Sequence, residues 1–313
     1  MGRVALVFAG QGAQTPGMGR NLYESSDAVR RVFDQVESFQ PGVTQLCFEG
    51  PASELNLTVN TQPCLFTVDY GCAIALEEAL GEKLCGDHIH GVAGFSLGEV
   101  AAATFAGLMD FATGFDFVCQ RAVAMHEAGV DNPGVMFAVV KLGANEVEQI
   151  AGNVTGVYPV NYNSPAQVVV ACQTEQAEKF AQRVAEQGGK ALKLPVSGGF
   201  HSPLMDLAAE KLADLTCSMN FTEPVIPLYS AMTTQPYDNP QEQLATQVNH
   251  PVRWEQTIRT MAADGFDTFI EVGPGRTLSN FIRQIDETLT TFQVNDTESA
   301  HQVAAWLKER KGH

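Results

Sequence analysis

Basic residues are scarce in this chain, and long apolar runs are missing. Of 313 residues, 19 are Lys or Arg and 36 are Asp or Glu, which gives a formal net charge of −17. This balance argues against nucleic acid as a partner, because the phosphate backbone attracts basic surfaces. No apolar run reaches the roughly 18 residues that a membrane-spanning helix needs, so we expect no membrane partner.

Cysteine pairs are also missing, although the chain has seven cysteines. Scattered cysteines without a Cys-x-x-Cys pair fit reduced thiols and a cytoplasmic protein better than disulfides or a zinc site. His88 and His90 are a close pair without a third ligand nearby, so we predict a surface loop there and no metal. Residues 4–9 read as a first core strand and not as part of a signal peptide.

Residues 94–98, Gly-Phe-Ser-Leu-Gly, stand between an apolar run and a helix-forming run that ends at Gly107. Strand, Gly-x-Ser-x-Gly and helix form the pattern of a nucleophile elbow. Gly94 and Gly98 lack a Cβ atom, so the strand and the helix can pass close to each other. The free N–H groups of the helix N-terminus would then face an anion formed at Ser96. We predict that Ser96 is a nucleophile; an incidental serine in a glycine-rich turn is the alternative.

A glycine-rich loop, residues 10–19, follows the first strand. It has neither the Gly-Lys-Ser/Thr ending of a phosphate loop nor the Gly-x-Gly-x-x-Gly spacing. We therefore favour a loop that contributes one N–H group to an oxyanion hole, with Gln11 as the donor. A plain surface turn remains open.

Arg121 lies in a helical stretch predicted over residues 113–126. Its neighbours three and four positions away are all apolar: Phe117, Val118, Ala124 and Met125. This places Arg121 on the buried face, where an unpaired guanidinium is too costly. Its partner is either an internal Asp or Glu, or the carboxylate of a substrate held by the bidentate fork. Periodicity alone does not separate the two.

His201 stands directly before Ser202 and Pro203, a strong N-cap and first-turn signal for a helix to about residue 218. A helix N-terminus disfavours imidazolium, so we predict a neutral ring that can act as a base. The remaining histidines lack this context: His88, His90, His126, His250, His301 and His313.

Two domains are predicted, and one is inserted in the other. Residues 131–198 follow the order β-α-β-β-α-β, the ferredoxin-like order, and we assign them to a small domain. Residues 1–130 and 199–313 would form the larger α/β domain. The predicted elements of the small domain are strands at 135–140, 157–161, 167–172 and 191–195, and helices at 144–151 and 174–186.

The larger domain is predicted to be α/β-hydrolase-like, with a parallel sheet and helices on both faces. Its strands are placed at 4–9, 90–95, 225–231 and 268–273. Early helices are expected at about 21–38 and 63–80, and Pro63 suits the first turn of the second one.

Several further blocks complete a recognisable set, and their order is that of one known family. They are residues 10–14, 94–99, 120–121, 161–165, 199–205, 251–254 and 271–275. Over nearly its whole length the chain resembles the malonyl-CoA:acyl carrier protein transacylases. Together the blocks are highly specific, although no single block is.

The resemblance implies roles for individual residues. Ser96 would be the nucleophile and His201 its base, and the N–H groups of Gln11 and Leu97 would form the oxyanion hole. Arg121 would hold the malonyl carboxylate, which favours the second of its two interpretations.

It also implies how the rest of the site is arranged. A backbone carbonyl from residues 249–253 would orient the histidine. Phe200 resembles the malonyl-selecting form of its motif, and Asn163 is expected to bind substrate. Phe95 is a departure, because many members have His before the nucleophile.

The implied reaction is the transfer of malonyl from malonyl-CoA to the phosphopantetheine thiol of acyl carrier protein. It would proceed through a malonyl-serine ester, serve fatty acid biosynthesis and need no metal or redox cofactor. A trans-acting acyltransferase of a polyketide synthase is one alternative. A thioesterase-type serine hydrolase is another, with Asp110, Asp116 or Asp131 as its acid. We expect a monomer, with a possible basic docking patch at Lys179, Arg183, Lys190 and Lys193.

Overall fold

The structure is a computed structural model that describes residues 2–311. His313, one of the histidines predicted to lack the context of His201, lies outside these residues. Its strands are β1 Arg3–Phe8, β2 Gly91–Gly94, β3 Gly134–Val140, β4 Val157–Ser164, β5 Gln167–Gln173, β6 Lys190–Lys193, β7 Leu228–Tyr229, β8 Phe266–Val272 and β9 Thr290–Val294. Its α-helices are α1 Arg20–Ser25, α2 Asp27–Phe39, α3 Val43–Glu49, α4 Ala52–Leu55, α5 Thr58–Leu80, α6 Leu97–Phe105, α7 Phe111–Asp131, α8 Ala144–Gly152, α9 Ala177–Glu186, α10 Asp206–Cys217, α11 Pro240–Thr246, α12 Trp254–Ala263, α13 Thr277–Ile285 and α14 Thr297–Lys311. Short 3₁₀ segments lie at Thr174–Gln176, Pro203–Met205 and Gln247–Asn249.

The main sheet has the strand order β7-β2-β1-β8-β9, and each neighbouring pair is parallel. Successive residues of the central strand β1 point to opposite faces. Leu6 and Phe8 pack in the core on one side of the sheet, whereas Ala5 and Val7 pack in the core on the other. The predicted α/β architecture with a parallel sheet is confirmed. Among residues 2–311, no helix is both long and apolar enough to cross a membrane.

A second sheet has the order β4-β5-β3-β6, with antiparallel neighbours throughout. Together with α8 and α9, its strands follow the order β-α-β-β-α-β that the sequence predicts. A separate apolar core lies between this sheet and the two helices, and it includes Val139, Val147 and Phe180. This unit therefore has its own interior.

Backbone hydrogen bonds join the second sheet to the segment before α12. The N–H of Tyr162 donates to the carbonyl of Val252 at 2.9 Å, and the N–H of Val252 donates to the carbonyl of Val160 at 2.8 Å. The Ser164 hydroxyl also donates to Oε1 of Gln284 at 2.7 Å. These bonds fix β4 against the main body.

The predicted helix at 21–38 is two helices, α1 and α2. The chain is extended at Ser26, whose hydroxyl accepts a hydrogen bond from the N–H of Val29 at 3.0 Å. Ser26 is thus an N-cap, and its side-chain bond stabilises a new helix start where the apolar pattern alone runs through.

The prediction that Pro63 opens a helix is wrong. Helix α5 begins at Thr58, and Pro63 lies inside it. The carbonyl of Pro63 still accepts a bond from the Thr67 hydroxyl at 2.7 Å. Leu57 precedes the helix without a side-chain cap. The N-terminus of α5 therefore has no local capping signal. Because Pro63 is typical of a first helical turn, the helix was predicted to begin about one turn too late.

The predicted strand at 225–231 is much shorter, because only Leu228 and Tyr229 form β7. Val225 is 69% exposed, and its N–H donates to the carbonyl of Ala106 rather than to a strand. On the other side, the chain turns back at once and the N–H of Tyr237 donates to the carbonyl of Leu228. Apolar composition alone overstated this strand.

The surface loop predicted for His88 and His90 is also wrong in part. His88 is buried, and its Nε2 lies 2.9 Å from Oε1 of Glu82. Nδ1 of His90 accepts a hydrogen bond from the N–H of Val4 at 3.1 Å. The two rings therefore bond the segment before β2, His88 to Glu82 and His90 to Val4 of β1. Within residues 2–311, no cluster of side chains has the composition of a metal site.

Candidate active site

The turn at Ser96 has the geometry of a nucleophile elbow. Strand β2 ends at Gly94, helix α6 begins at Leu97, and Ser96 between them has φ 54° and ψ −105°. A Cβ atom on Gly94 would lie 2.0 Å from the carbonyl carbon of Gly98, and one on Gly98 would lie 2.2 Å from the carbonyl oxygen of Phe8. Both glycines are therefore required, since any side chain would force the strand and the helix apart.

His201 is the hydrogen-bond partner of this serine. Its Nε2 lies 2.7 Å from Oγ of Ser96. Its Nδ1 lies 2.8 Å from the carbonyl of Gln247 and 3.2 Å from that of His250. A carbonyl oxygen can only accept, so Nδ1 carries the proton and Nε2 is left to accept from the serine hydroxyl. This is the tautomer that a general base needs.

The orienting carbonyl was expected within residues 249–253. His250 lies in that range, but the shorter bond goes to Gln247, which lies outside it. His201 itself has φ 62°, and its N–H donates to the carbonyl of Val248 at 2.8 Å. The 3₁₀ turn Gln247–Asn249 bends the backbone around the ring, and no sequence signal reports such a turn.

The His201 imidazole is buried and neutral. Burial lowers its pKa to about 4, and the nearby positive charge of Arg121 acts in the same direction. The two carbonyl bonds favour the charged ring but do not compensate. Neutrality was expected from a helix N-terminus; the larger cause is removal from water.

Arg121 reaches the same serine from helix α7. Its Nη2 donates to Oγ of Ser96 at 3.1 Å and to Oε1 of Gln247 at 2.8 Å, and its Nη1 donates to Oε1 of Gln62 at 2.6 Å. The side chain is 1% exposed, and its Nε has no partner. Burial lowers the pKa of Arg121 to about 10, while Glu99 acts against that shift, so the guanidinium stays charged at neutral pH.

The two interpretations of Arg121 can now be compared. Its hydrogen bonds within residues 2–311 all go to uncharged oxygens, so an internal ion pair of Arg121 is not found there. A buried cation held only by neutral groups, with one N–H group unused, is suited to an anion that arrives with the substrate. The geometry favours the substrate carboxylate.

The two expected oxyanion donors lie on either side of the elbow. Leu97 is the first residue of α6, so its N–H has no partner inside the helix. Gln11 belongs to the turn after β1, and this turn packs on the elbow: a Cβ atom on Gly10 would lie 2.4 Å from the carbonyl oxygen of Phe95. The side chain of Gln11 is held by the hydroxyl of Thr58 at 3.1 Å.

A cavity of about 240 Å³ opens between the main body and the second sheet. The Gln11 loop and Phe95 line one wall, and Asn161 and Asn163 line the other. Nδ2 of Asn163 donates to Oε1 of Gln167 at 2.7 Å. Oδ1 of Asn161 and Oδ1 of Asn163 are both buried without a partner. Asn163 and Asn161 thus present two unpaired oxygens at this cavity, and a substrate-binding role for Asn163 stays a prediction.

Other predicted residues are placed differently. Phe200 is 5% exposed and packs in the main core beside His201, and it does not line this cavity. Asp110 caps α7 at the N–H of Thr113, and Asp116 accepts from Gln120. The bonds at Nδ1 of His201 go to backbone carbonyls, so the structure gives no support to an Asp-containing triad.

Sequence reasoning missed Gln62, Gln247 and Glu99. Gln62 and Gln247 are ordinary glutamines in sequence, and only their buried side chains set them apart. Glu99 did carry a signal, because it is a charged residue directly after the elbow, at the start of an otherwise apolar helix.

Comparison with known proteins first defines the class. A family model described as Acyl transferase domain matches residues 5–313, so the chain belongs to the acyl transferase domain family. The chain is also 37% identical to the malonyl CoA-acyl carrier protein transacylase of Bacillus subtilis, over 99% of this chain and 98% of the relative. It is a member of the malonyl CoA-acyl carrier protein transacylase family.

Solved structures agree with this assignment. The transacylase of the same name from Clostridium perfringens superposes with a TM-score of 0.90 at 33% identity, covering 99% of this chain and 98% of that one. A further structure shows a malonyl-transacylase in complex with its type II PKS acyl-carrier protein. It superposes with a TM-score of 0.91 at 31% identity and covers 97% and 99% of the two chains.

Proposed function

We propose that this protein is an [acyl-carrier-protein] S-malonyltransferase that moves malonyl from malonyl-CoA to acyl carrier protein for fatty acid biosynthesis. The observation that carries the proposal is the contact of Ser96 with both His201 and Arg121, at 2.7 and 3.1 Å. This arrangement joins a serine–base pair to a buried cation. It therefore suits an acyl group that carries its own carboxylate, and the family membership supports the same conclusion.

In the first half-reaction, Oγ of Ser96 attacks the thioester carbon and Nε2 of His201 takes the hydroxyl proton. The Gln247 carbonyl stabilises the imidazolium that forms. The N–H groups of Gln11 and Leu97 stabilise the oxyanion, each worth on the order of 10²–10³ in rate. The C–S bond then breaks, CoA leaves with the proton from His201, and a malonyl ester remains on Ser96.

In the second half-reaction, the phosphopantetheine thiol of acyl carrier protein attacks this ester. His201 takes the thiol proton and returns it to Oγ of Ser96 as the C–O bond breaks. The product is malonyl-acyl carrier protein, and the enzyme is restored. Each step exchanges one acyl bond for another, so the scheme requires no metal or redox cofactor.

Arg121 selects the acyl group in this scheme. The malonyl carboxylate binds its guanidinium beside Ser96 and uses the donor at Nε that has no partner. We also propose that the cavity with Asn161 and Asn163 receives the amide-containing pantetheine arm, since their free oxygens can accept its N–H groups. Phe200 would restrict acyl size indirectly, through its packing beside His201.

We further propose the two-domain division of the chain, with 131–198 as a ferredoxin-like small domain in an α/β-hydrolase-like body formed by 1–130 and 199–313. The separate core of the small unit supports this division. Its basic residues Lys179, Arg183, Lys190 and Lys193 are candidates for docking the acidic carrier protein. A cytoplasmic monomer is the state we propose, and the free cysteines within residues 2–311 fit a reducing compartment.

One alternative has an observation in its favour. A structural neighbour is a malonyl-transacylase bound to a type II PKS acyl-carrier protein. The same chemistry could therefore serve a polyketide carrier protein, and competition between carrier proteins in one transfer assay separates the two.

The proposal is tested by intact-mass spectrometry after brief mixing with malonyl-CoA, followed by peptide mapping. We expect a malonyl adduct on Ser96 that disappears when phosphopantetheinylated carrier protein is added. Accumulation of CoA and malonate without an adduct would instead identify a hydrolase. Absence of both adduct and CoA release would refute malonyl transfer.

Arg121→Ala tests the selection step in the same assay. The variant should lose about 10²-fold or more in malonyl loading while acetyl loading from acetyl-CoA changes little, because only malonyl carries the carboxylate. An unchanged malonyl-to-acetyl ratio would contradict the role given to Arg121.

A further inference from the structure

Glu99 is a buried carboxylate close to the site that the reaction scheme above leaves without a role. It is the third residue of α6 and is 1% exposed. Its two oxygens are both bonded: Oε1 accepts from the hydroxyl of Tyr237, and Oε2 accepts from the N–H of Ala231 at 3.0 Å. Both donors follow strand β7. Glu99 is therefore anchored to the β7 side of the site.

Glu99 and Arg121 attract each other, although the side-chain hydrogen bonds of each go to other groups. Glu99 acts to raise the pKa of Arg121, and Arg121 acts to lower that of Glu99. The hydrogen bonds of Arg121 nevertheless go to Gln62, Ser96 and Gln247. Two opposite buried charges are thus held apart, and each is satisfied by neutral groups.

This separation has a physical consequence. Burial of a guanidinium is costly unless an opposite charge lies nearby. A glutamate free to rotate would supply that charge by a bidentate contact, and it would then occupy the donors that a substrate carboxylate requires. Tyr237 and Ala231 prevent the rotation because they bind both oxygens of Glu99.

We propose that Glu99 is a positioning residue: held by Tyr237 and Ala231, it sets the electrostatic potential at Arg121 but leaves the guanidinium unpaired for the substrate carboxylate. The inference rests on the proposed function, in which Arg121 binds the malonyl carboxylate. Glu99 sets how strongly that carboxylate binds, and Tyr237 sets whether Glu99 competes with it.

The charge of Glu99 also changes near neutral pH. Burial raises its pKa to about 7, against the effect of its bonds to Tyr237, Ala231 and Ser230 and of the charge on Arg121. The other titratable groups facing it do not change charge in this range: burial raises the pKa of Tyr237 well above its usual value, and that of Arg121 is about 10. His201, beside Arg121, titrates at about 4.

Two variants test the proposal through opposite effects. Glu99→Gln removes the charge, so the site becomes more positive. At pH 8.5, where the wild-type Glu99 is charged, this substitution should lower the KM for malonyl-CoA loading about tenfold, the scale on which one nearby charge moves an ionic equilibrium, while the KM for acetyl-CoA stays unchanged. Tyr237→Phe frees one oxygen of Glu99 and removes a bond that lowers its pKa, so the variant is measured at the same alkaline pH, where the carboxyl is charged and competition for Arg121 should raise the malonyl-CoA KM. Equal losses with both acyl-CoAs in Glu99→Gln would show a merely structural role and overturn the inference.

The result can be separated from failure of the proposed function. In an Arg121→Ala background, Glu99→Gln should leave the malonyl-to-acetyl ratio unchanged. The reason is that Glu99 acts only through the contact between Arg121 and the malonyl carboxylate. If Arg121→Ala alone leaves that ratio unchanged, the role proposed for Arg121 fails, and the inference fails with it. If Arg121→Ala changes the ratio but Glu99→Gln and Tyr237→Phe do not shift the malonyl KM in opposite directions, only the inference fails.

A wild-type measurement keeps the test valid even if Glu99→Gln does not fold. Between pH 8.5 and pH 6 the carboxylate of Glu99 gains its proton, so the malonyl-CoA KM should fall about tenfold relative to the acetyl-CoA KM. A ratio that stays constant over this range would overturn the inference.

Discussion

The carboxyl edge of the main sheet and the antiparallel sheet of residues 134–193 differ in how regular their backbones are. At the main sheet, Ser96 and His201 both have positive φ, 54° and 62°, and they are bonded to each other. In the second sheet, β3 and β5 pair without interruption over seven residues. Strained conformations of this kind persist only where the surroundings over-determine them. Two of the four non-glycine residues with positive φ among residues 2–311 therefore meet where we propose that the chemistry occurs; the other two are Lys141, after β3, and Thr234.

The second sheet is irregular in one strand only. Strand β4 shifts register between Pro159 and Asn161 and again between Tyr162 and Ser164. These shifts flank Asn161 and Asn163, the two residues whose free oxygens line the cavity. Bulges commonly re-aim side chains beside active sites. Each sheet thus has irregular backbone at residues that we propose contact the substrate, and the main sheet has a further register shift at Arg3 and Val4, at the other end of β1.

The largest expected effect is the loss of the nucleophile. Ser96→Ala should reduce malonyl transfer by at least about 10⁴-fold, since the covalent step is removed. Transfer is measured by formation of malonyl-carrier protein. The matched control is Ser197→Ala, an exposed serine before the Gly-rich approach to His201, which should transfer malonyl normally. Transfer by Ser96→Ala at more than a hundredth of the wild-type rate would contradict the role of the elbow.

Glycine substitution compares the two regions directly. Gly94→Ala places a Cβ atom 2.0 Å from the backbone of Gly98, so we expect it to destabilise the fold by more than about 3 kcal/mol. Gly152→Ala, at the end of α8 in the small unit, meets nothing within 4 Å and should stabilise by up to about 1 kcal/mol. Urea unfolding measures both. Equal stabilities of the two variants would show that the elbow is not tightly packed.

The pH profile tests the burial of His201. With a pKa of about 4 its ring stays neutral at pH 5, whereas a histidine of ordinary pKa 6.5 would be mostly protonated. At pH 5 the difference in the active fraction is about 30-fold. We therefore expect kcat/KM for malonyl loading to decrease through protonation of His201 only as the pH falls towards 4. An acid limb centred near pH 6.5 would show that the ring is hydrated in solution.

The smallest expected effect lies in the second sheet. Asn163→Ala removes one hydrogen-bonding side chain from the cavity, so the KM for malonyl-CoA should rise about 5- to 10-fold with little change in kcat. Asn153→Ala is the matched control, because this residue of the same unit is exposed and its side chain donates to the carbonyl of Gln149, away from the cavity. If both variants behave like the wild type, the cavity does not bind the substrate.

Local sequence signals predicted much of the site, because its main residues have local explanations. Gly94 and Gly98 exclude a side chain at the elbow, and the apolar neighbours of Arg121 place it on a buried face. Elsewhere local signals misled. Pro63 suggested a helix start about one turn too late, and apolar composition around Leu228 suggested a strand longer than the two residues observed. At the strand a distant contact sets the boundary, because the N–H of Val225 donates to the carbonyl of Ala106.

The sequence by itself determined the elbow, the buried position of Arg121 and the capped helix after His201, since these depend on residues within a few positions of one another. Only the tertiary structure decided that Arg121 meets neutral amides and not an internal carboxylate, and that Gln247 orients His201. Those contacts join residues 46 to 126 positions apart. Local periodicity indicates which face of a helix is buried, but the packing of the whole chain decides which residues that face contacts.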